Sequence, residues 1–111
     1  MPFVKLSDLQ LREPFAGFRG RFVHSETMTF VHWQIDAGAV LPEHSHPHEQ
    51  VAHVIDGQFE LTIDGESQVL KAGSVGVIPG GASHSGKALI DCFIIDAFHP
   101  VREDYRQQNS E

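Results

Sequence analysis

A chain of 111 residues allows one compact domain, and 41% hydrophobic with 21% charged residues is the balance of an ordinary globular fold rather than a disordered segment. The formal net charge of −7 comes without clustered Lys and Arg, which excludes nucleic acid as an expected partner. The single cysteine, Cys92, excludes an intrachain disulfide; set in an apolar run, it is expected to be a buried core thiol.

The first residues show no basic segment ahead of a long apolar stretch, and no apolar run approaches a membrane-spanning length. No signal peptide and no membrane partner are therefore expected, and the cytoplasm is the default location. Residues 7–12 could form a short helix. Residues 27–36 alternate as a strand, with Met28, Phe30, His32 and Gln34 on one face and Thr29, Val31, Trp33 and Ile35 on the other. A second strand over 50–56 ends in Asp56-Gly57, which predicts a hairpin into a third strand over 58–63. Asp64-Gly65 predicts another hairpin into residues 67–70. A strand over 74–78 stops at Pro79-Gly80-Gly81, and a long strand over 89–97 is apolar enough to be expected buried on both faces. Residues 101–108 are the second candidate helix, and the polar tail 107–111 is expected to fray. Turn signals roughly every eight to twelve residues favour a β-sandwich or barrel, one domain over residues 1–111.

Eight histidines are present, and four of them, His44, His46, His48 and His53, fall within ten residues. In an extended strand the side chains of His44 and His46 share a face, so both imidazoles can reach one ion. Gln50 has the same parity and adds an amide oxygen. His84, just past the turn at 79–83, can supply a further nitrogen from another strand. Three His and an oxygen donor suit a divalent transition ion. His48 shares the parity but is expected to stop short of the ion, His53 is expected to be structural, and His32 could line the barrel interior. His24 and His99 carry no spacing that argues for metal.

The spacing Gly38-x5-His44-x-His46-x3-Gln50-x6-Gly57 resembles the first cupin motif, and Gly73-x5-Pro79-x-Gly81-x2-His84 resembles the second. The resemblance implies an all-β fold, a single small cupin barrel (a double-stranded β-helix or jelly roll), with one divalent metal on His44, His46, Gln50 and His84. Zinc, nickel, manganese, iron or cobalt would fit that set. Cupins commonly carry Glu where this chain has Gln50 and Asn where it has Ala88; Glu49 could replace Gln50 only through a bulge at Pro47.

The stretch from His44 to Gln50 and the ending Asp96-Ala97-Phe98-His99-Pro100-Val101-Arg102-Glu103-Asp104 look like the small pectin-degradation cupins. Those proteins convert 4,5-unsaturated uronic acids from pectin or alginate lysis to linear keto sugars. The resemblance assigns Asp96, Phe98 and Arg102 to the metal pocket and implies a small anionic sugar as substrate. From the residues alone, Asp96 could instead begin a surface turn, and Arg102 could pair with Glu103 or Asp104 in solvent. A metal-dependent cupin dioxygenase and a non-catalytic sugar-binding cupin are the alternative functions. The N-terminal residues Phe3, Val4 and Leu6 need a partner surface, which would favour a homodimer.

Overall fold

The computed structural model describes residues 2–108, and most of them lie in strands. The strands are β1 (Arg12–Phe15), β2 (Phe18–His24), β3 (Thr29–Ile35), β4 (Val40–His44), β5 (Glu49–Asp56), β6 (Gln58–Ile63), β7 (Glu66–Lys71), β8 (Val75–Ile78), β9 (His84–Ala88) and β10 (Cys92–His99). A 3₁₀ turn, Leu6–Asp8, precedes them and one short helix, α1 (Glu103–Gln108), follows. The expectation for the tail falls, beyond residue 108, outside the described residues.

All pairings are antiparallel and form two sheets, a six-stranded one in the order β1-β2-β3-β10-β5-β8 and a four-stranded one in the order β4-β9-β6-β7. The inner faces close over one core, a barrel in keeping with the turn spacing and with the jelly roll that the cupin resemblance implies. Alternation decides which side chains enter it. In β3, Val31, Trp33 and Ile35 are buried while Phe30 and Gln34 face out. Gly20 and Gly86 make room for two large rings: a Cβ on Gly20 would meet the Trp33 indole at 2.7 Å, and one on Gly86 would run into the Phe59 ring. Phe18 and Phe22 pack edge-on against Trp33, and Phe18 against Phe59, so aromatic contacts link the two sheets.

Several sequence expectations change. Asp64-Gly65 does join a hairpin, with Ile63 opposite Glu66 and both turn residues at positive φ. Asp56-Gly57 does not: β5 and β6 lie in different sheets, and this turn is a corner. Gly57 has φ +105° and a Cβ there would meet the Asp91 carbonyl at 2.5 Å, so a packed neighbouring segment steers the chain across. The long apolar strand starts at Cys92 rather than residue 89, and its burial alternates instead of covering both faces. Residues 7–12 give a 3₁₀ turn and the start of β1, and α1 begins at Glu103. His32 lies on the outer face, half-buried, not in the interior. Cys92 is buried as expected, its thiol donating to the Gln58 and Ile90 carbonyls.

Candidate metal and substrate site

His44 ends β4 and His84 begins β9, and these two residues are register partners in the four-stranded sheet. Beyond His44 the strand stops. His46 sits in irregular backbone, residues 47–48 bend, and Gln50 arrives on β5 in the other sheet. The four residues therefore meet across the mouth of the barrel, not along one regular strand. Gln50 is buried, while Glu49 is exposed opposite His99, so no bulge turns Glu49 inward.

The three histidines converge, with ligand-capable atoms all within 4.8 Å of one another. A backbone carbonyl faces each Nδ1: Pro42 for His44 at 2.9 Å, His48 for His46 at 3.0 Å, Ala82 for His84 at 3.0 Å. A neutral ring whose Nδ1–H donates to a carbonyl carries its lone pair on Nε2, the nitrogen then left for an ion. The Nε2 of His84, in a side chain only 1% exposed, has no hydrogen-bond partner. The Gln50 Oε1 lies 3.2 Å from the His46 Nε2; two lone-pair atoms so close fit a cation beside both. Burial, helped by Arg102 and His84, lowers His46 to about 4, and burial likewise lowers His84, so both rings are neutral at physiological pH. The donor set and the orphaned nitrogen fit a divalent transition ion.

The cavity, about 50 Å³, is lined by these four residues, by Asp96, Phe98, Arg102 and Tyr105, and by the aromatic floor of Phe15, Phe18, Trp33 and Phe59. Asp96 lies in the middle of β10, between Val31 and Ala52 in register, and is buried; it begins no surface turn. Trp33 Nε1–H donates to its Oδ2 at 3.0 Å. Burial pushes the Asp96 carboxyl up to about 6, against the opposing pull of Gln50, Trp33 and Arg102. The Phe98 ring lies 5.7 Å from that of His46. Arg102 pairs with Asp104, yet its side chain is only 11% exposed and its guanidinium lies over the Phe98 and Tyr105 rings. Its backbone N–H donates to the hydroxyl of Thr29, which also contacts His24.

The remaining histidines lie apart from this convergence. The His48 ring is 5.6 Å from that of His46, and His53 and His99 are exposed. Trp33 and Tyr105 escaped the reading of the site from sequence. The alternation of β3 already put Trp33 inside, and a buried indole N–H needs an acceptor, which is the signal that could have linked it to Asp96.

Two antiparallel sheets closed over a cavity with three convergent histidines at its mouth define a small cupin-type barrel. Residues 31–90 match the cupin domain family. An RmlC-like cupin from Shewanella frigidimarina superposes with a TM-score of 0.89 at 27% identity, covering 95% of this chain and 96% of that one. KdgF from a Halomonas species superposes with a TM-score of 0.87 at 30% identity, covering 95% and 98%. The pectin degradation protein KdgF of Dickeya dadantii is 36% identical over 70 residues, which span 61% of this chain and 64% of that protein, less than two thirds of its length. The chain belongs to the cupin superfamily and, within it, to the pectin-degradation cupins.

Proposed function

We propose that this protein is a metal-dependent enzyme that converts 4,5-unsaturated uronic acid monomers, released by pectin or alginate lysis, to linear keto sugars in the cytoplasm. One observation carries the reading: Asp96, Phe98 and Arg102 line the same cavity as the histidine triad, in a chain akin to pectin degradation proteins. In this reading His44, His46, His84 and Gln50 hold one divalent ion of the zinc, nickel, manganese, iron or cobalt class. When bound, such an ion supplies Lewis-acid polarisation of substrate oxygens.

The conversion is an isomerisation. The anomeric hydroxyl loses a proton as the ring C–O bond breaks, and the released enol takes a proton on carbon to become the ketone. Asp96, held near 6, is present in both protonation states around neutrality and can accept the first proton and deliver the second. Trp33 fixes its Oδ2. Arg102 receives the substrate carboxylate through its two-pronged donor. Phe98, 3% exposed, packs on the sugar ring and keeps bulk water from the enol. The test is proton NMR of an unsaturated galacturonate monomer mixed with the metal-loaded protein under argon. Conversion to the open-chain keto sugar is the expected result; an unchanged substrate spectrum, with oxygen uptake on phenolic or diketone substrates, would point instead to a dioxygenase.

The reading includes a homodimer. Support comes from exposed Phe3, Val4 and Leu6 and from the outer face of the six-stranded sheet. There Val23, Phe30, Ala97, Val51 and Val77 form one uncharged cross-strand row over β2, β3, β10, β5 and β8. At the usual ~4.8 Å strand spacing the row spans roughly 19 Å. Solvated sheet faces ordinarily alternate to polar side chains, so such a row favours burial against a second copy.

A further inference from the structure

The guanidinium of Arg102 has five N–H donors arranged along two usable edges. One edge is taken: Nε donates to Asp104 Oδ1 at 3.0 Å and Nη2 to Asp104 Oδ2 at 2.8 Å. Nη1 takes part in neither of these bonds; the Tyr105 hydroxyl also interacts with the Arg102 side chain, and the Nη1–Nη2 edge is the one a second carboxylate could meet. The plane itself is held by two rings, with the guanidinium carbon 4.8 Å from the Phe98 centroid and 4.2 Å from that of Tyr105. The root of the residue is held as well, through its backbone N–H on buried Thr29. Arg102 lines the cavity; Asp104 does not, and its own side chain is 55% exposed. Asp104 thus contacts the arginine without itself lining the cavity.

We infer that Asp104 is a positioning residue: it locks the Arg102 fork so that its Nη1–Nη2 edge meets the carboxylate of a uronate in the cavity. The inference rests on the proposed uronate function and extends it to a residue that touches no substrate. An unlocked arginine would pay side-chain entropy on each binding event, since a flexible fork must be ordered before it can make two parallel bonds. The opposite role is also chemically coherent, with Asp104 occupying the arginine in competition with the ligand, and the sign of one measurement separates the two.

The experiment compares wild-type protein with Asp104→Ala and Asp104→Asn by calorimetric titration with galacturonate, a saturated uronate that has no enol to react, and with its neutral methyl ester. The expected result is a loss of about tenfold or more in galacturonate affinity for Asp104→Ala, a smaller loss for Asp104→Asn, which keeps one acceptor, and no change for the ester. Tighter galacturonate binding in Asp104→Ala would overturn the inference in favour of competition. Equal affinity, equal loss for acid and ester, or no galacturonate binding by the wild type would also overturn it. Turnover of the unsaturated monomer by wild-type protein is measured separately: its absence with the galacturonate effect intact would remove the enzymatic reading and leave a uronate-binding site with an aligned arginine.

Discussion

At the scale of single residues, Asp96 carries the clearest tension between stability and chemistry. A fully buried carboxyl raised from its usual 3.8 to about 6 costs the folded state roughly 3 kcal/mol when ionised. A folded pKa above the unfolded one means that folding favours the protonated form. The penalty is therefore absent below about pH 4, grows between 4 and 6, and is complete above 6. Asp96→Asn is expected to make the metal-free protein more stable at pH 7.5 by up to that amount, with the gain vanishing near pH 4, as read by urea titration at both pH values. The same variant is expected to lose at least about 10²-fold in uronate turnover. Near-normal turnover would remove Asp96 from the proton transfer, and a destabilised variant at pH 7.5 would contradict the burial argument.

Residue identities were legible in the sequence to different depths. His44, His46 and His84 stood out through their spacing with glycines and a proline, and all three do converge. Gln50 faces the cavity for a reason other than the one its parity suggested: the chain bends at 47–48 and changes sheet, so the regular strand that justified the parity does not exist. Asp104 appeared in the sequence only as a solvent partner for Arg102. That pairing is real, but no local pattern shows that the arginine it grips is 11% exposed and faces a cavity.

Among the elements, the strands with strong alternation were readable and those that frame the site were not. β3 and β6 follow their apolar pattern closely. β4 contains Pro42 and β9 reads His-Ser-Gly-Lys-Ala, neither of which carries a strand signature; pairing with each other and with β6 makes them strands. Asp56-Gly57 and Asp64-Gly65 look alike in sequence, but only the second is a hairpin, because contact with Asp91 and Cys92 decides the first. The outer face of the large sheet gives a test at this scale. Val77, 58% exposed on edge strand β8, is at one end of the apolar row. Sedimentation at roughly 100 μM is expected to show a dimer for the wild type and a monomer for Val77→Lys, since a lysine opposite a second copy would bury an unpaired charge. A wild type that sediments as a monomer would contradict the dimer.

For the molecule as a whole, a β-sandwich or barrel was legible in the turn spacing, and the cupin barrel in the two glycine-framed histidine motifs. Among the described residues no helix is long and apolar enough to cross a membrane. What the barrel adds is convergence: β4, β5, β9 and β10 and the segment after β10 bring a histidine cluster, a carboxyl near 6 and an arginine gripped by Asp104 to one cavity. The measurement that tests this most directly is the decay of the conjugated enol absorbance of an unsaturated uronate monomer, followed with metal-loaded protein, chelator-stripped protein and no protein. The expected result is acceleration by the loaded protein, a return to the spontaneous rate on stripping, and recovery on adding back the ion. A loaded protein that leaves the spontaneous rate unchanged would contradict the proposed function.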